Sequence, residues 1–95
     1  MSVAVTASTG IAATHIGGMT IHSWSGMGIR ESLSSDDLEW IMSREYLMKR
    51  YAKTSVLIID EVSMLSGEFL ASLDFLLQRA RVSPEPFGGI QVVLV

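Results

Sequence analysis

Val56-Leu57-Ile58-Ile59-Asp60-Glu61 decides how the rest of the chain is read: four aliphatic residues run directly into two adjacent carboxylates. A short aliphatic run of this kind predicts a buried strand, and near-continuous apolar strands belong to parallel sheets covered on both faces. In open parallel sheets, ligands gather beyond the carboxyl ends of the strands. Such a strand would hold Asp60 rigidly at that rim, where it could carry magnesium on a nucleotide, while Glu61 could orient and deprotonate a water. The same six residues also fit a buried strand running into a solvated acidic turn. The neighbouring segments have to separate the two readings.

Working outward, two more runs dense in Val, Ile or Leu predict strands, so strands are expected over residues 2–6, 55–59 and 90–95. After the first, Thr9 to Ile16 can start a helix that Gly17-Gly18 interrupts, and Thr20 to Ser25 form a short further turn. Ser34-Ser35-Asp36-Asp37 is a helix start, with hydroxyl or carboxylate caps and acids in the first turn. Lys49, Arg50 and Lys53 suit the far end of that helix or helix pair, and Leu38, Ile41, Leu47, Met48 and Tyr51 supply its buried side. Ser66 can cap the next helix, where Phe69, Leu73, Leu76 and Ala80 recur at helical spacing beside Leu70 and Leu77. Pro84 and Pro86 end it. Strand, helices, strand, helix, strand reads as one α/β unit with three layers, a parallel sheet and right-handed crossovers.

Composition narrows the function classes. Of 95 residues, 48% are hydrophobic and 18% charged, against roughly 25% charged in an ordinary soluble domain. The surface is short of polar cover, so something else is expected to cover it. A net charge of -3 gives no broad attraction for nucleic acid, and any DNA contact must be local. Cysteine is absent, which excludes a disulfide framework and thiolate metal ligation. The uncharged opening stretch up to Arg30 resembles a secretory leader only superficially, because the basic start is missing and Val3-Ala4-Val5-Thr6 reads as a strand. No apolar run approaches membrane-spanning length. A soluble intracellular chain is expected, with bacterial cytoplasm, nucleus and mitochondrion all left open.

Two segments near the first strand carry further chemistry. Thr6-Ala7-Ser8-Thr9-Gly10 brings backbone N–H groups and small hydroxyls to a helix start, an arrangement suited to a phosphate group. It lacks the G-x-x-x-x-G-K-[ST] pattern and its phosphate-reaching lysine, so a nucleic-acid phosphate is the better reading, with a simple helix cap as the alternative. Gly17-Gly18-Met19-Thr20-Ile21-His22-Ser23-Trp24 adds hydroxyls, an imidazole and an indole, able to meet sugar, phosphate or base. Taken singly, Trp24 reads as a core residue and His22 as a hydrogen-bonded structural histidine. His15 and His22, alone and seven residues apart, do not make a metal site.

With these segments in order, the whole chain resembles the PIF-type (petite integration frequency) DNA helicases, relatives of RecD in helicase superfamily 1. Val3 to Ala13 looks like motif Ia, and Gly18-Met19-Thr20-Ile21-His22-Ser23 like the next DNA-facing segment. Leu57 to Met64 looks like motif II, and Phe87-Gly88-Gly89-Ile90-Gln91 leads into the motif III strand. The resemblance implies a partial RecA-like lobe over residues 1–95, from motif Ia to the start of motif III. It implies an ATP- and magnesium-dependent enzyme that moves 5′ to 3′ on single-stranded DNA and separates duplexes. Asp60 would position magnesium, Glu61 would activate water, and Ser8, Thr9, Gly10, Thr20 and His22 fall in the DNA-touching segments. The nucleotide-gripping Walker A loop is expected about thirty residues upstream, one strand and helix earlier, and the second lobe downstream. The chain alone is therefore expected to be inactive.

The family's sheet further implies strand order first, second, third, leaving residues 90–95 at an open edge that invites self-association. Another P-loop ATPase, of recombinase or AAA type, would share the acid pair, but nothing in generic ATP hydrolysis requires Gly-Gly-Met-Thr-Ile-His-Ser. A nonenzymatic interaction module or inactive remnant is the remaining alternative.

Overall fold

The structure, a computed structural model, describes residues 2–95. Its strands are β1 (Val3–Ala7), β2 (Met19–Thr20), β3 (Val56–Asp60) and β4 (Gln91–Leu94). Its helices are α1 (Gly10–Ile16), α2 (Ile21–Ser25), α3 (Ser35–Met42), α4 (Glu45–Lys53) and α5 (Gly67–Ala80), with single tight turns at Val62–Met64 and Pro86–Gly89. The four strands form one sheet in the order β2-β1-β3-β4, all neighbours parallel. The three expected strands are present and neighbour one another as expected, with β4 at an edge. The α/β class and the parallel sheet are as read from the sequence.

Local chemistry explains the helix boundaries. Ser34 caps α3 by accepting from the Asp37 N–H at 3.1 Å while Asp37 accepts from the Ser34 N–H at 3.1 Å, a reciprocal capping box. Ser66 caps α5 by accepting from the Phe69 N–H at 3.0 Å. The long stretch from Ser34 to Lys53 resolves into two helices rather than one, broken between Met42 and Glu45. On the inner sides, Leu38, Ile41, Leu47 and Tyr51 are buried, while Met48 packs partly buried against them.

The short strand β2 was not expected. Two residues are too few to show any hydrophobic period, and its cause lies in the Gly17-Gly18 pair. Gly17 ends α1 in the left-handed conformation, φ 68°, which glycine adopts without a side-chain penalty. At Gly18 a side chain would collide with the Val5 carbonyl, so only glycine lets the chain return flush against β1.

Three layers are present, but they are unequal. Alternation along the strands sends Ala4, Leu57, Ile59 and Val92 toward the main core, where they meet Ile21, Trp24, Phe69, Leu73, Leu76 and Leu77 from the helices. The other face is covered only near its end, where Ala12 and Ala13 of α1 bury Ala7. Val3, Val5 and Val93 on that face stay exposed. Cover on both faces, as the strand composition suggested, is thus extensive on one side and slight on the other among the described residues.

Candidate functional site at the carboxyl rim of the sheet

Parallel pairing lines up the carboxyl ends of adjacent strands. Ala7 stands opposite Thr20 on one side and opposite Asp60 on the other. Ser8, the next residue, donates its N–H to the Asp60 carbonyl at 3.1 Å, so the acid pair and the hydroxyl-rich loop are immediate neighbours. The Asp60 side chain is half-buried, and its Oδ1 accepts from the Glu61 N–H at 3.0 Å, which fixes the carboxylate and leaves its other oxygen uncommitted.

Glu61 is exposed and holds φ 54°, ψ 48°, a left-handed conformation that costs a residue with a side chain about 1 kcal/mol or more. That backbone turn lifts the chain off the sheet into the Val62–Met64 turn, and the Val62 N–H donates to the Val95 carbonyl at 3.0 Å. Strain of this kind collects where a side chain must be aimed.

The hydroxyls beside the acids differ in state. Ser8 Oγ is buried and has no hydrogen-bond partner, a condition that costs free energy until a partner arrives. Thr9 and Thr20 accept from the N–H groups of Ala12 at 3.2 Å and Ser23 at 3.1 Å, capping α1 and α2. Capping uses a lone pair and leaves each hydroxyl proton free to donate outward. The cap reading of Thr9 is therefore correct without excluding a ligand. Gly10 opens α1 and is exposed.

Thr20 and His22 also line an open groove of about 770 Å³, with Ile29, Glu31, Met64 and Ser66 among its other walls. Ser8, Thr9, Gly10, Asp60 and Glu61 stand at the rim and not in that groove. His22 packs against Phe69, ring centroids 4.7 Å apart, and Trp24 is buried against Tyr51 at 5.5 Å, so the indole is core and not a stacking platform. The groove walls Gly28, Ile29 and Glu31, and Met64, Leu65 and Ser66 opposite them, were not read as part of a site from the sequence. Ser66 carried only a helix-cap signal, and Ile29 and Met64 have no periodicity that marks them as anything but loop. Among the described residues no group of three or more His, Asp or Glu side chains could hold a metal on its own.

A parallel α/β sheet with an acid pair at the rim of a central strand and a hydroxyl-bearing loop beside it defines a RecA-like lobe. The PIF1-like helicase family profile matches residues 1–95, and the chain belongs to that family. It is 52% identical over 92 residues to the ATP-dependent DNA helicase Pif1 of Psychrobacter sp. (strain PRwf-1), an alignment covering 97% of this chain and 14% of that protein. The crystal structure of Pif1 helicase from Candida albicans superposes with a TM-score of 0.91 at 43% identity, over 98% of this chain and 21% of that one. The crystal structure of Pif1 helicase from Bacteroides in complex with ADP-AlF3 and ssDNA superposes with a TM-score of 0.79 at 36% identity, over 98% of this chain and 21% of that one. The chain thus spans a small part of the length of the relatives it matches.

Proposed function

We propose that this chain forms part of the first motor lobe of an ATP-dependent DNA helicase that couples ATP hydrolysis to 5′-to-3′ movement on single-stranded DNA and to duplex separation. The observation that carries this reading is the Asp60-Glu61 pair at the carboxyl rim, hydrogen-bonded through the Asp60 carbonyl to Ser8 at 3.1 Å. Family membership and relatives named as ATP-dependent DNA helicases support it.

In this reading Asp60 offers its uncommitted oxygen to magnesium. A single carboxylate suits that ion, which typically takes one or two carboxylates together with substrate phosphates and water. Magnesium bound to ATP would supply charge neutralisation on the phosphates. Glu61, aimed outward by its left-handed backbone, orients the attacking water and accepts its proton. Ser8, with its unpartnered hydroxyl, donates to a phosphate of the DNA strand, and Thr9, Gly10, Thr20 and His22 extend the contact toward the groove. No G-x-x-x-x-G-K-[ST] loop occurs in these 95 residues, so in this reading the 95-residue chain by itself does not hydrolyse ATP. DNA junctions are its further partners, inside the cell; no described helix is long and apolar enough to cross a membrane.

The test is Glu61→Gln in the full-length protein. Nucleotide binding is expected to persist while ATP turnover falls about 100-fold or more, the scale of general-base catalysis. Normal turnover would remove Glu61 from the mechanism and with it the helicase assignment of this rim.

A further inference from the structure

The exposed side of α3 and α4 carries a run of alternating cations and aromatic rings that the helicase reading leaves unused. The Arg30 guanidinium lies 5.6 Å from the centre of the Trp40 ring, and Arg44 lies 5.0 Å from Trp40 and 5.9 Å from Tyr46. Arg50 continues the run, 5.6 Å from Tyr46. None of these five residues lines the groove beside β2 and α2. Both rings stand in the open, Trp40 47% and Tyr46 56% exposed. Charge gathers here as well: Arg44, Lys49, Arg50 and Lys53 against Glu45 give residues 44–53 a local charge of +3 in a chain of net charge -3.

The three guanidiniums differ in what they have left to give. Arg30 Nε donates to Asp37 Oδ1 at 3.0 Å and its Nη1 to the Met27 carbonyl at 3.1 Å. Arg50 Nη1 donates to the Trp24 carbonyl at 2.8 Å. The two outer cations are therefore tied to the fold and steady the rings they touch. Arg44 stands at the N-cap position of α4 without capping it, and its side chain is exposed. Among the described residues it has neither a salt-bridge nor a side-chain hydrogen-bond partner. A guanidinium with its donors unspent is thus held beside two half-exposed rings.

We propose that Arg44, with Trp40 and Tyr46 beside it, is the docking point for a peptide segment of a partner protein that sets a carboxylate next to an aromatic or aliphatic side chain. Trp, Tyr and Arg are the side chains in which binding energy concentrates at protein interfaces. The guanidinium fork matches a carboxylate with two parallel hydrogen bonds, and rings already held in place offer apolar surface at little cost in entropy. The surplus of cations along α4 complements an acidic partner. A nucleic-acid strand suits this face less well, because Asp36, Asp37, Glu39 and Glu45 stand on the same two helices and repel a chain of phosphates. A peptide that places its carboxylate on Arg44 and its apolar side chain on a ring avoids them.

The experiment measures binding of fluorescein-labelled decapeptides to the full-length protein by fluorescence anisotropy. The probe alternates aspartate with phenylalanine; one control alternates aspartate with serine, the other lysine with phenylalanine. The probe is expected to bind, with each control about tenfold weaker or more, and Arg44→Ala or Trp40→Ala should each weaken the probe about tenfold. A saturating oligodeoxythymidylate should change probe binding less than about twofold, the spread ordinary for a site left untouched. Failure of the unaltered protein to bind the probe, or equal binding of all three peptides, would overturn the proposal without need of any variant. Probe binding that survives both substitutions would overturn it by placing the contact elsewhere. Displacement of the probe by the oligonucleotide, lost in Arg44→Ala, would overturn it by assigning the face to nucleic acid. Both substituted residues are exposed, so the variants are expected to fold, and an unchanged melting temperature checks that.

Discussion

The two faces of the sheet differ in what they bury. On one, the main core gathers 14 buried residues under α2, α3, α4 and α5; on the other, α1 buries only Ala7, Ala12 and Ala13. Strand alternation and register put Asp60 on the second side, in line with Val5, Ile58 and Ala7. The well-packed face supplies rigidity, and the proposed site stands at the rim of the thinly covered one. A scaffold of this kind can hold a strained residue such as Glu61 because the strand before it is anchored from the opposite side, where Leu57 and Ile59 are fully buried.

The largest expected effect would measure the contrast directly. Leu73→Ala, at a fully buried position of the main core, should cost about 2–5 kcal/mol by leaving a cavity. Val5→Ala, on the thin face and 40% exposed, should cost less than about 1 kcal/mol, because a large share of the lost methyl surface is already in water. Urea denaturation of the two variants reads the difference, and equal losses would break the contrast between the faces.

A second test addresses the bare side and its edge. Among the described residues β4 ends the sheet with no strand beyond it, and Val93, Leu94 and Val95 are all exposed. We expect the 95-residue chain to self-associate through that edge at high concentration, and Val93→Lys to shift it toward monomer, since edge charges oppose strand addition. Sedimentation showing a monomer throughout would sink this expectation.

The smallest effect is electrostatic and lies away from the rim. Hydrogen bonds from the Ser34 backbone and hydroxyl, helped by Arg30 at 3.0 Å, hold the Asp37 carboxyl below its ordinary value of 3.8. A carboxyl depressed in the folded state stabilises above its unfolded value and loses that contribution as pH falls through the folded one. The stability gap between the unaltered chain and Asp37→Asn should therefore be present near neutrality and shrink below a pH of about 4. A gap that stays constant down to pH 2 in thermal melts, about the low end for hydrogen-bonded carboxylates, would show that the capping box does not depend on the charge.

Where the signal was local, the sequence was legible. Phe69, Leu73, Leu76 and Ala80 at helical spacing behind Ser66 foretold α5 and its buried side, and the four aliphatics before Asp60 foretold β3, because periodicity and caps act within one element. β2 was hidden because it owes its existence to a close approach between Gly18 and β1, which no stretch of two residues can advertise. The same holds for the groove: Ile29, Glu31 and Met64 come from two loops more than thirty residues apart, joined by the hydrogen bond between Ser66 and Glu31.

By itself the sequence determined the α/β class, the starts of α1, α2, α3 and α5, and the delivery of Asp60 and Glu61 to a strand end, all consequences of side-chain pattern along the chain. Only the tertiary structure decided which face of the sheet is thick, that Ser8 Oγ is buried without a partner, and that Ile29 and Met64 share one groove. Burial and long-range contact depend on what the other elements leave uncovered, and that is a property of the packed whole.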